Sequence, residues 1–369
     1  MFRGASQTWA DFREMIEKQK EIDAVMVSTP DHMHYPAAML AMKSGKAVCV
    51  EKPMAHSVWE ARQMAEAAKK YKVATQMDNE FHSHPGLRTG VEWVKAGAIG
   101  AVREVHVWTD RPIWPQGFAK RPPTQPVPAN LNWDLWLGPA PFRDYHDSLH
   151  PFKWRGWWDF GCGALGDMGC HLIDISYWAL DLGQPTTLEA IQEGNSAEAA
   201  PKWSTVTYQF PARKGKVGPQ EGKELPPVTL KWYDGKKKPE RPEELGPKRK
   251  MPSNGTLFVG EKGKLLVTNW TSPRLIPEEK MKDFKRPEPF IKRVKSHKHE
   301  WIEAVKGGPR CGSDFERYGG PLCETVLLGN LAVRCSNKKL EWDAENLRVK
   351  NAPEASQYVK REYRKGWEF

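Results

Sequence analysis

Apolar and polar positions repeat with two different periods along the first hundred residues. Short apolar runs with the length and composition of buried β-strands occupy residues 23–28, 47–51 and 73–77. Segments with helical spacing lie around them, at 9–20, 35–44, 57–71 and 86–96. Because strands that alternate with helices form parallel sheets with right-handed crossovers, we expect such a sheet here.

Capping signals mark several of these helices. Thr8, with Asp11 three residues later, predicts the start of the first helix. Ser57 and Glu60 have the spacing of a capping box for the third helix. Gly45 stands where a helix C-terminus favours glycine.

The pattern changes after residue 98. Residues 102–108 alternate like a half-exposed strand, and a Pro- and Trp-rich passage then runs to residue 159. Further strand-like runs lie near 187–193, 204–210, 228–233, 255–260, 263–268 and 339–342, with helical segments at 297–306 and 321–335. Runs of strands of this kind predict an α+β domain with an open, mostly antiparallel sheet. We therefore divide the chain into domains 1–98 and 99–340, followed by a tail, 341–369, that packs back on them.

Composition restricts the function classes more than the fold. A chain of 369 residues with 39% hydrophobic and 28% charged residues is typical of a soluble protein with two domains. No apolar run approaches the roughly 18 residues of a membrane span, and the first residues lack a secretory apolar core. We expect no membrane partner and a cytoplasmic chain as given, or a periplasmic one if an export signal precedes Met1.

The net charge of +10 raises the possibility of nucleic-acid binding. Residues 231–250 carry eight basic and four acidic side chains, and residues 280–298 carry eight and two, so these runs account for the whole excess. Both contain prolines and acids, which favours solvated loops over a phosphate-binding surface, with acidic polysaccharide as the other alternative. The six cysteines form no C-x-x-C pair, so we expect neither a disulfide scaffold nor a metal site.

The stretch 161–174 carries candidate chemistry. On one continuous helix, Asp167, His171 and Asp174 share a face, and a carboxylate beside an imidazole can transfer protons. A surface pair or a core histidine is the alternative. Glycines at 161, 163, 166 and 169 each weaken a helix by about 1 kcal/mol, so we expect a ligand or another backbone to approach closely there.

Three motifs occur at the expected strand ends and on this helix: Thr29-Pro30-Asp31-His32-Met33-His34, Glu51-Lys52-Pro53 and Asp167-Met-Gly-Cys-His171. In this order they resemble the Gfo/Idh/MocA family, which includes glucose-fructose oxidoreductase and inositol dehydrogenases. The resemblance covers nearly the whole chain. It implies an N-terminal Rossmann domain, a C-terminal α/β domain, and a homodimer or homotetramer formed through the open sheet.

The resemblance also implies residue roles. Lys52, Asp167 and His171 match the family's catalytic lysine, substrate-binding aspartate and acid-base histidine. The implied cofactor is NAD or NADP, with NAD preferred, and the residues expected to bind it are Ser28, Thr29, Pro30, His34, Glu51, Lys52 and Gln76. The chemistry fits independently, because oxidation of a secondary alcohol needs a base for the hydroxyl proton. Asp167 or Asp174 is expected to orient the His171 ring. Without the other motifs, Lys52 would be interpreted as an ordinary loop lysine. We expect the Lys52–Pro53 peptide bond to be cis, because cis proline is typical of tight turns.

Aromatic residues suggest a carbohydrate or polyol substrate. Seven of the 17 tryptophans lie between residues 108 and 158, and indole faces suit the C–H faces of sugar rings. Most should still belong to the core. Arg111, Gln116 and Arg155 could bind hydroxyl groups. The residues expected to contact substrate are Asn79, Arg111, Trp114, Trp157 and Asp174.

One feature departs from the family. The glycine fingerprint G-x-G-x-x-G that holds a dinucleotide pyrophosphate is missing, together with the acid that reads the ribose. We expect a partial Rossmann domain that lacks the first βαβ unit, in a chain truncated by its gene model. A natural short form that binds no dinucleotide, or one completed by another chain, is the alternative.

Three functions remain open. The first is a nicotinamide-dependent oxidoreductase acting on a secondary hydroxyl of a sugar, glycoside or polyol. The second is an NAD-assisted glycoside hydrolase or lyase that works through a transient 3-keto sugar. The third is a non-catalytic short form.

Overall fold

A parallel sheet forms the first part of the protein. The computed structural model describes residues 7–247, 249–268 and 271–369, so residues 1–6 of the first predicted domain lie outside it. Strands β1 (Ala24–Val27), β2 (Ala47–Glu51) and β3 (Thr75–Asp78) pair in parallel in that order. The accompanying helices are α1 (Phe12–Lys18), α2 (His34–Lys43), α3 (Val58–Tyr71) and α4 (Pro85–Lys95). The predicted alternation is confirmed.

The capping predictions have two outcomes. Ser57 and Glu60 form the predicted capping box: the Ser57 hydroxyl accepts the Glu60 N–H, and the Glu60 carboxylate accepts the Ser57 N–H. Thr8, by contrast, does not cap α1. Asp11 does so, because its carboxylate accepts a 2.8 Å hydrogen bond from the Arg13 N–H. The helix therefore begins at Phe12 rather than near residue 9.

A second sheet of nine strands follows within the described residues. Its members are β4 (Val102–Trp108), β5 (Thr187–Glu193), β6 (Trp203–Phe210), β9 (Val228–Tyr233), β10 (Gly255–Gly260), β11 (Gly263–Val267), β12 (Arg274–Ile276), β13 (Leu340–Asp343) and β14 (Arg348–Val349). The order is β12-β11-β10-β4-β9-β6-β5-β13-β14, and only β4 and β9 run parallel to each other. Strands β7 (Arg213–Lys214) and β8 (Glu224–Leu225) form a separate ribbon. The open, mostly antiparallel sheet is confirmed.

One long helix joins the two sheets. The later helices are α5 (Trp133–Leu137), α6 (Gly163–Leu172), α7 (Asp174–Ala179), α8 (Lys280–Asp283), α9 (His297–Val305), α10 (Gly320–Arg334) and α11 (Ser356–Val359), and a π-helical turn spans Phe315–Gly319. Helix α10 packs against α3 on one side and against α6, β5 and β6 on the other. It therefore links α3, which covers the first sheet, to α6 and the second sheet.

Helices α6 and α7 differ from the prediction. One continuous helix was expected to carry Asp167, His171 and Asp174, but a break at Ile173 ends α6 and starts α7. Asp174 therefore begins a new helix.

Alternate residues of β2 enter two cores. Val48 and Val50 pack with the residues of α2 and α3. Cys49 faces the other way, into a cluster with Trp301 of α9. Such burial on both sides is typical of a parallel strand between helices.

The last residues lie against the first part of the chain. Arg361 and the Tyr363 hydroxyl donate hydrogen bonds of 2.8 and 2.7 Å to the buried carboxylate of Glu60. Arg364 donates to the carbonyl of Gly138 at 3.0 Å.

Among the described helices, none combines the length and apolarity that a bilayer crossing requires.

Candidate active site

Lys52 and Asp167 meet where the first sheet adjoins α6. Strand β2 ends at Glu51, and the Lys52–Pro53 peptide bond is cis, as predicted. The Lys52 ammonium donates 2.8 Å hydrogen bonds to both Oδ1 and the backbone carbonyl of Asp167. Because one side chain binds two atoms of the same residue, the end of β2 is held tightly against the helix.

Arg155 is a second cation beside this pair. Its Nε lies 3.6 Å from Asp167 Oδ1, and its guanidinium stacks 4.3 Å from the ring centre of Trp154. Burial opposes ionisation of Asp167, but Lys52 and Arg155 outweigh it and hold the pKa of this carboxyl below its usual range. Asp167 is therefore an anion between two cations.

His171 lies one turn after Asp167 on α6. The ring is half-buried, with its centre 4.5 Å from that of Phe81, and Nδ1 has no hydrogen-bond partner among the described residues. Burial, and then the positive charge of Lys52, lowers the pKa of His171 well below its usual value. The imidazole is therefore neutral at pH 7 and can accept a proton.

Neither aspartate orients this ring by a hydrogen bond. Asp167 is bound to Lys52, and Asp174 belongs to a different, fully buried network. Its carboxylate accepts from Asn79 at 3.1 Å, from His82 at 3.0 Å and from the Tyr318 hydroxyl. Asn79 is also completely buried. Asn79 and Asp174, both predicted to contact substrate, are thus buried and make these hydrogen bonds within the protein.

The residues predicted to bind a cofactor separate into two groups. Ser28 and Thr29 are exposed, and Pro30, Glu51 and Lys52 are half-buried, all at the carboxyl ends of β1 and β2. These are the positions at which parallel sheets bind ligands.

His34 and Gln76 form the second group. The Gln76 side chain is fully buried and donates to the His297 carbonyl at 3.1 Å, because α9 covers this face of β3. The two ring nitrogens of His34 face backbone carbonyls. Neither of these two side chains, both predicted to contact a cofactor, is open at the sheet edge.

Two carboxyl groups stand side by side on neighbouring strands. Glu51 and Asp78 are partners in the parallel register of β2 and β3. Burial, and then the nearby Asp78, raises the pKa of Glu51 to about 7. Lys298 of α9 lies 3.9 Å from Asp78. Glu51 at the end of β2 therefore loses its proton near neutral pH.

The aromatic and arginine side chains predicted to face a substrate form hydrogen bonds within the protein. Trp157, predicted to face a ligand, is 2% exposed, and its indole N–H donates a hydrogen bond to the Ser148 carbonyl. Trp114 is 5% exposed and donates to the side chain of Gln116. The Arg155 guanidinium, which lies beside Asp167, is 5.5 Å from the ring centre of Trp114. Arg111 forms an ion pair with Asp110, and none of its hydrogen bonds within the described chain reaches Lys52 or Asp167.

The glycines of this region approach protein atoms. A Cβ added to Gly161 would lie 2.5 Å from the Arg155 backbone, and one added to Gly169 would lie 2.8 Å from Val326 of α10. Of the two reasons expected for these glycines, contact with other parts of the chain is therefore observed at both positions.

Asp31 was not assigned a role from the sequence, and Arg155 was considered only as a possible partner of a substrate hydroxyl group. Asp31 is 1% exposed; it accepts a 3.0 Å hydrogen bond from the Cys162 N–H at the start of α6 and lies 3.4 Å from Arg155. The position of Asp31 just after β1 could have identified it, because polar residues at the carboxyl ends of parallel strands are candidates for ligand binding. Arg155 is in a short 3₁₀ turn, and nothing in its spacing singled it out.

Two family models match the chain. Residues 3–79 match the oxidoreductase family's NAD-binding Rossmann fold, and residues 106–217 match the C-terminal alpha/beta domain of the same family. Together the two matched segments contain the cluster of Lys52, Arg155 and Asp167.

Curated relatives include two sugar dehydrogenases. Levoglucosan dehydrogenase of Pseudarthrobacter phenanthrenivorans is 24% identical over 47% of this chain and 36% of its own length. D-glucoside 3-dehydrogenase of Escherichia coli is 32% identical over 56% of this chain and 50% of its own length. The matched regions thus span half or less of these relatives.

Solved structures share the fold over most of the chain. The WlbA dehydrogenase of Bordetella pertussis, in complex with NADH and UDP-GlcNAcA, covers 92% of this chain and 84% of its own, with a TM-score of 0.59 and 16% identity. An oxidoreductase of Thermotoga maritima covers 94% and 85%, with a TM-score of 0.55 and 16% identity. These structures show the shared fold, and the two family models establish that the chain belongs to the Gfo/Idh/MocA family of oxidoreductases.

Proposed function

We propose that this protein is a nicotinamide-dependent oxidoreductase acting on a secondary hydroxyl group of a sugar, glycoside or polyol. The observation that carries the proposal is the Lys52–Asp167 ion pair beside a neutral His171, at the carboxyl edge of a parallel sheet. A hydrogen-bond donor and a proton acceptor are thereby held close together. These are the two groups that an alcohol needs in order to lose its proton.

The roles follow from the charges. His171 accepts the hydroxyl proton, because burial and Lys52 keep its imidazole neutral. Lys52 donates a hydrogen bond to the oxygen as negative charge develops on it. Asp167 holds the ammonium in place through two atoms, and Arg155 is available for a neighbouring hydroxyl or carboxylate.

The described residues fit one half of a dinucleotide. Exposed Ser28 and Thr29, with half-buried Glu51 and Lys52, would hold the nicotinamide end at the edge of the sheet. No glycine-rich turn between a strand and a helix, which would hold the pyrophosphate, occurs within residues 7–247, 249–268 and 271–369. A bound oxidised nicotinamide supplies the hydride acceptor. NAD is our preferred form over NADP.

The relatives support a carbohydrate substrate. Levoglucosan dehydrogenase and D-glucoside 3-dehydrogenase are named for oxidation of sugar derivatives, and the WlbA structure holds an acidic nucleotide sugar with NADH. The stacked Arg155 beside Asp167 is consistent with a polar, hydroxylated ligand.

The test separates binding from chemistry. The quenching of tryptophan fluorescence on titration with NAD and NADP measures cofactor binding. Incubation with sugars, glycosides and polyols, followed by the absorbance of reduced nicotinamide, measures net oxidation. We expect binding and net reduction with at least one carbohydrate. Release of an aglycone without net reduction would favour a hydrolase or lyase, and failure to bind either dinucleotide would overturn the proposal.

We also propose a homodimer or homotetramer formed through the open sheet. One face of the nine-stranded sheet packs on helices, whereas the residues on the opposite face of β6 remain half-exposed. Sedimentation velocity of the protein tests this, and a monomer at micromolar concentration would contradict it.

A further inference from the structure

His34 binds two backbone carbonyl groups at once. Its Nδ1 lies 2.8 Å from the Pro53 oxygen, and its Nε2 lies 2.8 Å from the Thr29 oxygen. Carbonyl oxygens only accept hydrogen bonds, and a neutral imidazole carries a single N–H group. A neutral His34 would therefore point a lone pair at one of the two oxygens. An imidazolium donates to both.

Asp31 lies three residues earlier and needs a positive partner. Its carboxyl group is 1% exposed, accepts the Cys162 N–H at 3.0 Å, and lies 3.4 Å from Arg155. A buried carboxylate is costly unless a cation and hydrogen bonds compensate it. If Asp31 were protonated instead, its O–H would have to stand between an N–H donor and a guanidinium, which offer it no acceptor.

The surrounding charges are few. Burial, the largest effect, lowers the pKa of His34 and raises that of Asp31, whereas each of the two groups favours the charged form of the other. Arg155 disfavours a charged His34, and Lys52 and Arg155 favour a charged Asp31. The nearby His32 is neutral, because burial lowers its pKa to about 3. Burial therefore favours the neutral forms of Asp31 and His34. Their hydrogen-bond partners, two acceptors around His34 and two donors around Asp31, favour the charged forms.

We propose that His34 is a buried imidazolium whose charge is balanced by the nearby Asp31 carboxylate, and that His34 is a positioning residue for Lys52. The imidazolium joins the turn after β1, through Thr29, to the turn after β2, through Pro53. Pro53 follows Lys52 directly. The two His34 hydrogen bonds therefore determine the direction in which the Lys52 side chain extends from the end of β2. Asp31 connects this region to the start of α6, because its carboxylate accepts the hydrogen bond from the Cys162 N–H. The charge state is independent of the proposed function, whereas the consequence for Lys52 rests on it.

The charge state can be observed directly. In the full chain labelled with ¹⁵N-histidine, each imidazole shows two ring nitrogen resonances whose shifts separate imidazolium from the neutral tautomers. The His34→Gln variant identifies the His34 signals by their loss. We expect both nitrogens of His34 to have imidazolium shifts throughout pH 6 to 8, roughly the range in which an ordinary histidine loses its proton. A neutral tautomer at pH 7 would overturn the proposal, and the wild-type protein alone decides this if the variant does not fold.

The positioning role has its own measurement. Glutamine can donate to one of the two carbonyls but carries no charge, so His34→Gln should speed amide hydrogen exchange at least tenfold in peptides that contain Lys52 to Met54. His299→Gln, at a side chain of α9 that is 42% exposed, is the matched control and should leave exchange in these peptides unchanged. Unchanged exchange in His34→Gln would exclude the positioning role. In a protein shown to turn over a sugar, the same variant should lower kcat more than it raises KM. Absence of turnover in the wild type would overturn only the proposed function, because the resonances and the exchange rates do not depend on it.

Discussion

The ammonium group of Lys52 is bonded twice to Asp167, at 2.8 Å to its carboxylate and at 2.8 Å to its backbone carbonyl. The first bond neutralises a charge, and the second holds the lysine to the helix itself. These two bonds restrict a long and otherwise flexible side chain to one position beside α6.

Replacing Lys52 should separate catalysis from stability. Lys52→Ala is expected to lower turnover by about 100- to 10,000-fold, because the developing negative charge loses its donor. It also leaves Asp167 as a buried anion whose nearest cation is removed, which costs stability. Steady-state kinetics and urea denaturation measure the two effects.

A double variant isolates them further. Lys52→Ala combined with Asp167→Asn removes the unpaired charge, so stability should recover while turnover stays low. The exposed Lys43→Ala is the control and should change neither. Near-normal turnover in Lys52→Ala would contradict the assignment of this site.

The acidity of His171 should depend on Lys52. Burial comes first and the lysine charge second in lowering the pKa of His171 well below its usual value. Lys52→Met removes the positive charge, so the pKa should rise, and the ring should take up its proton at a higher pH than in the wild type. Titration of the His171 ring protons by NMR measures both values. Lys298→Met, which removes a positive charge farther along the sheet edge, is the control and should leave the pKa of His171 unchanged. Equal His171 pKa values in the wild type and in Lys52→Met would refute the coupling.

The Glu51–Asp78 pair predicts a dependence of stability on pH. The pKa of Glu51 is raised from 4.5 to about 7, so the folded protein holds this proton more tightly than the unfolded chain does. The resulting stabilisation is present below pH 4.5 and is lost as the pH rises through about 7. Because Glu51 is partly open to solvent, the change should be about 1 kcal/mol.

Asp78→Asn should flatten this dependence, because the second cause of the shift is the like charge. Urea unfolding at several pH values between those two limits gives the slope for each protein. The loop residue Asp147, whose side chain is 64% exposed, provides the matched Asp→Asn control. An unchanged slope in Asp78→Asn would show that Asp78 does not raise the pKa of Glu51.

Gly169 should tolerate no side chain. An added Cβ would lie 2.8 Å from Val326, so Gly169→Ala forces α6 away from α10 and should cost about 1–3 kcal/mol. Gly183→Ala is the control, because nothing lies within 4 Å of its added Cβ. Differential scanning calorimetry of the two variants measures the difference. Equal melting temperatures would mean that the helices separate without cost.

Much of the fold could be predicted from local patterns. The strand ends at Val27 and Glu51 follow from short apolar runs closed by polar turn residues, which are features of neighbouring positions. The Ser57 capping box is equally local. The order of strands and helices then follows from general rules of connection, so the parallel sheet needed no tertiary information.

The orientation of polar side chains could not be predicted in the same way. Gln76 follows the pattern of an edge residue, but α9, more than two hundred residues later, covers it. Asn79 and Asp174 appeared suited to a ligand, and the π-helical turn supplies Tyr318 as an internal partner instead. Arg155 joins the cluster because an irregular segment folds back onto α6. Such contacts join distant parts of the chain, and spacing along the sequence contains no signal of them.

The one parallel pair of the nine-stranded sheet affects the order in which the molecule assembles. Strand β4 lies between β9 and β10, whose residues follow it by more than 120 positions, whereas β1, β2 and β3 pair with their nearest neighbours in sequence. Closing such long loops slows folding, so pairing of the early strands precedes completion of the large sheet. During synthesis on the ribosome, β4 waits without its partners until β10 has emerged, and its apolar side chains need protection from aggregation during that interval.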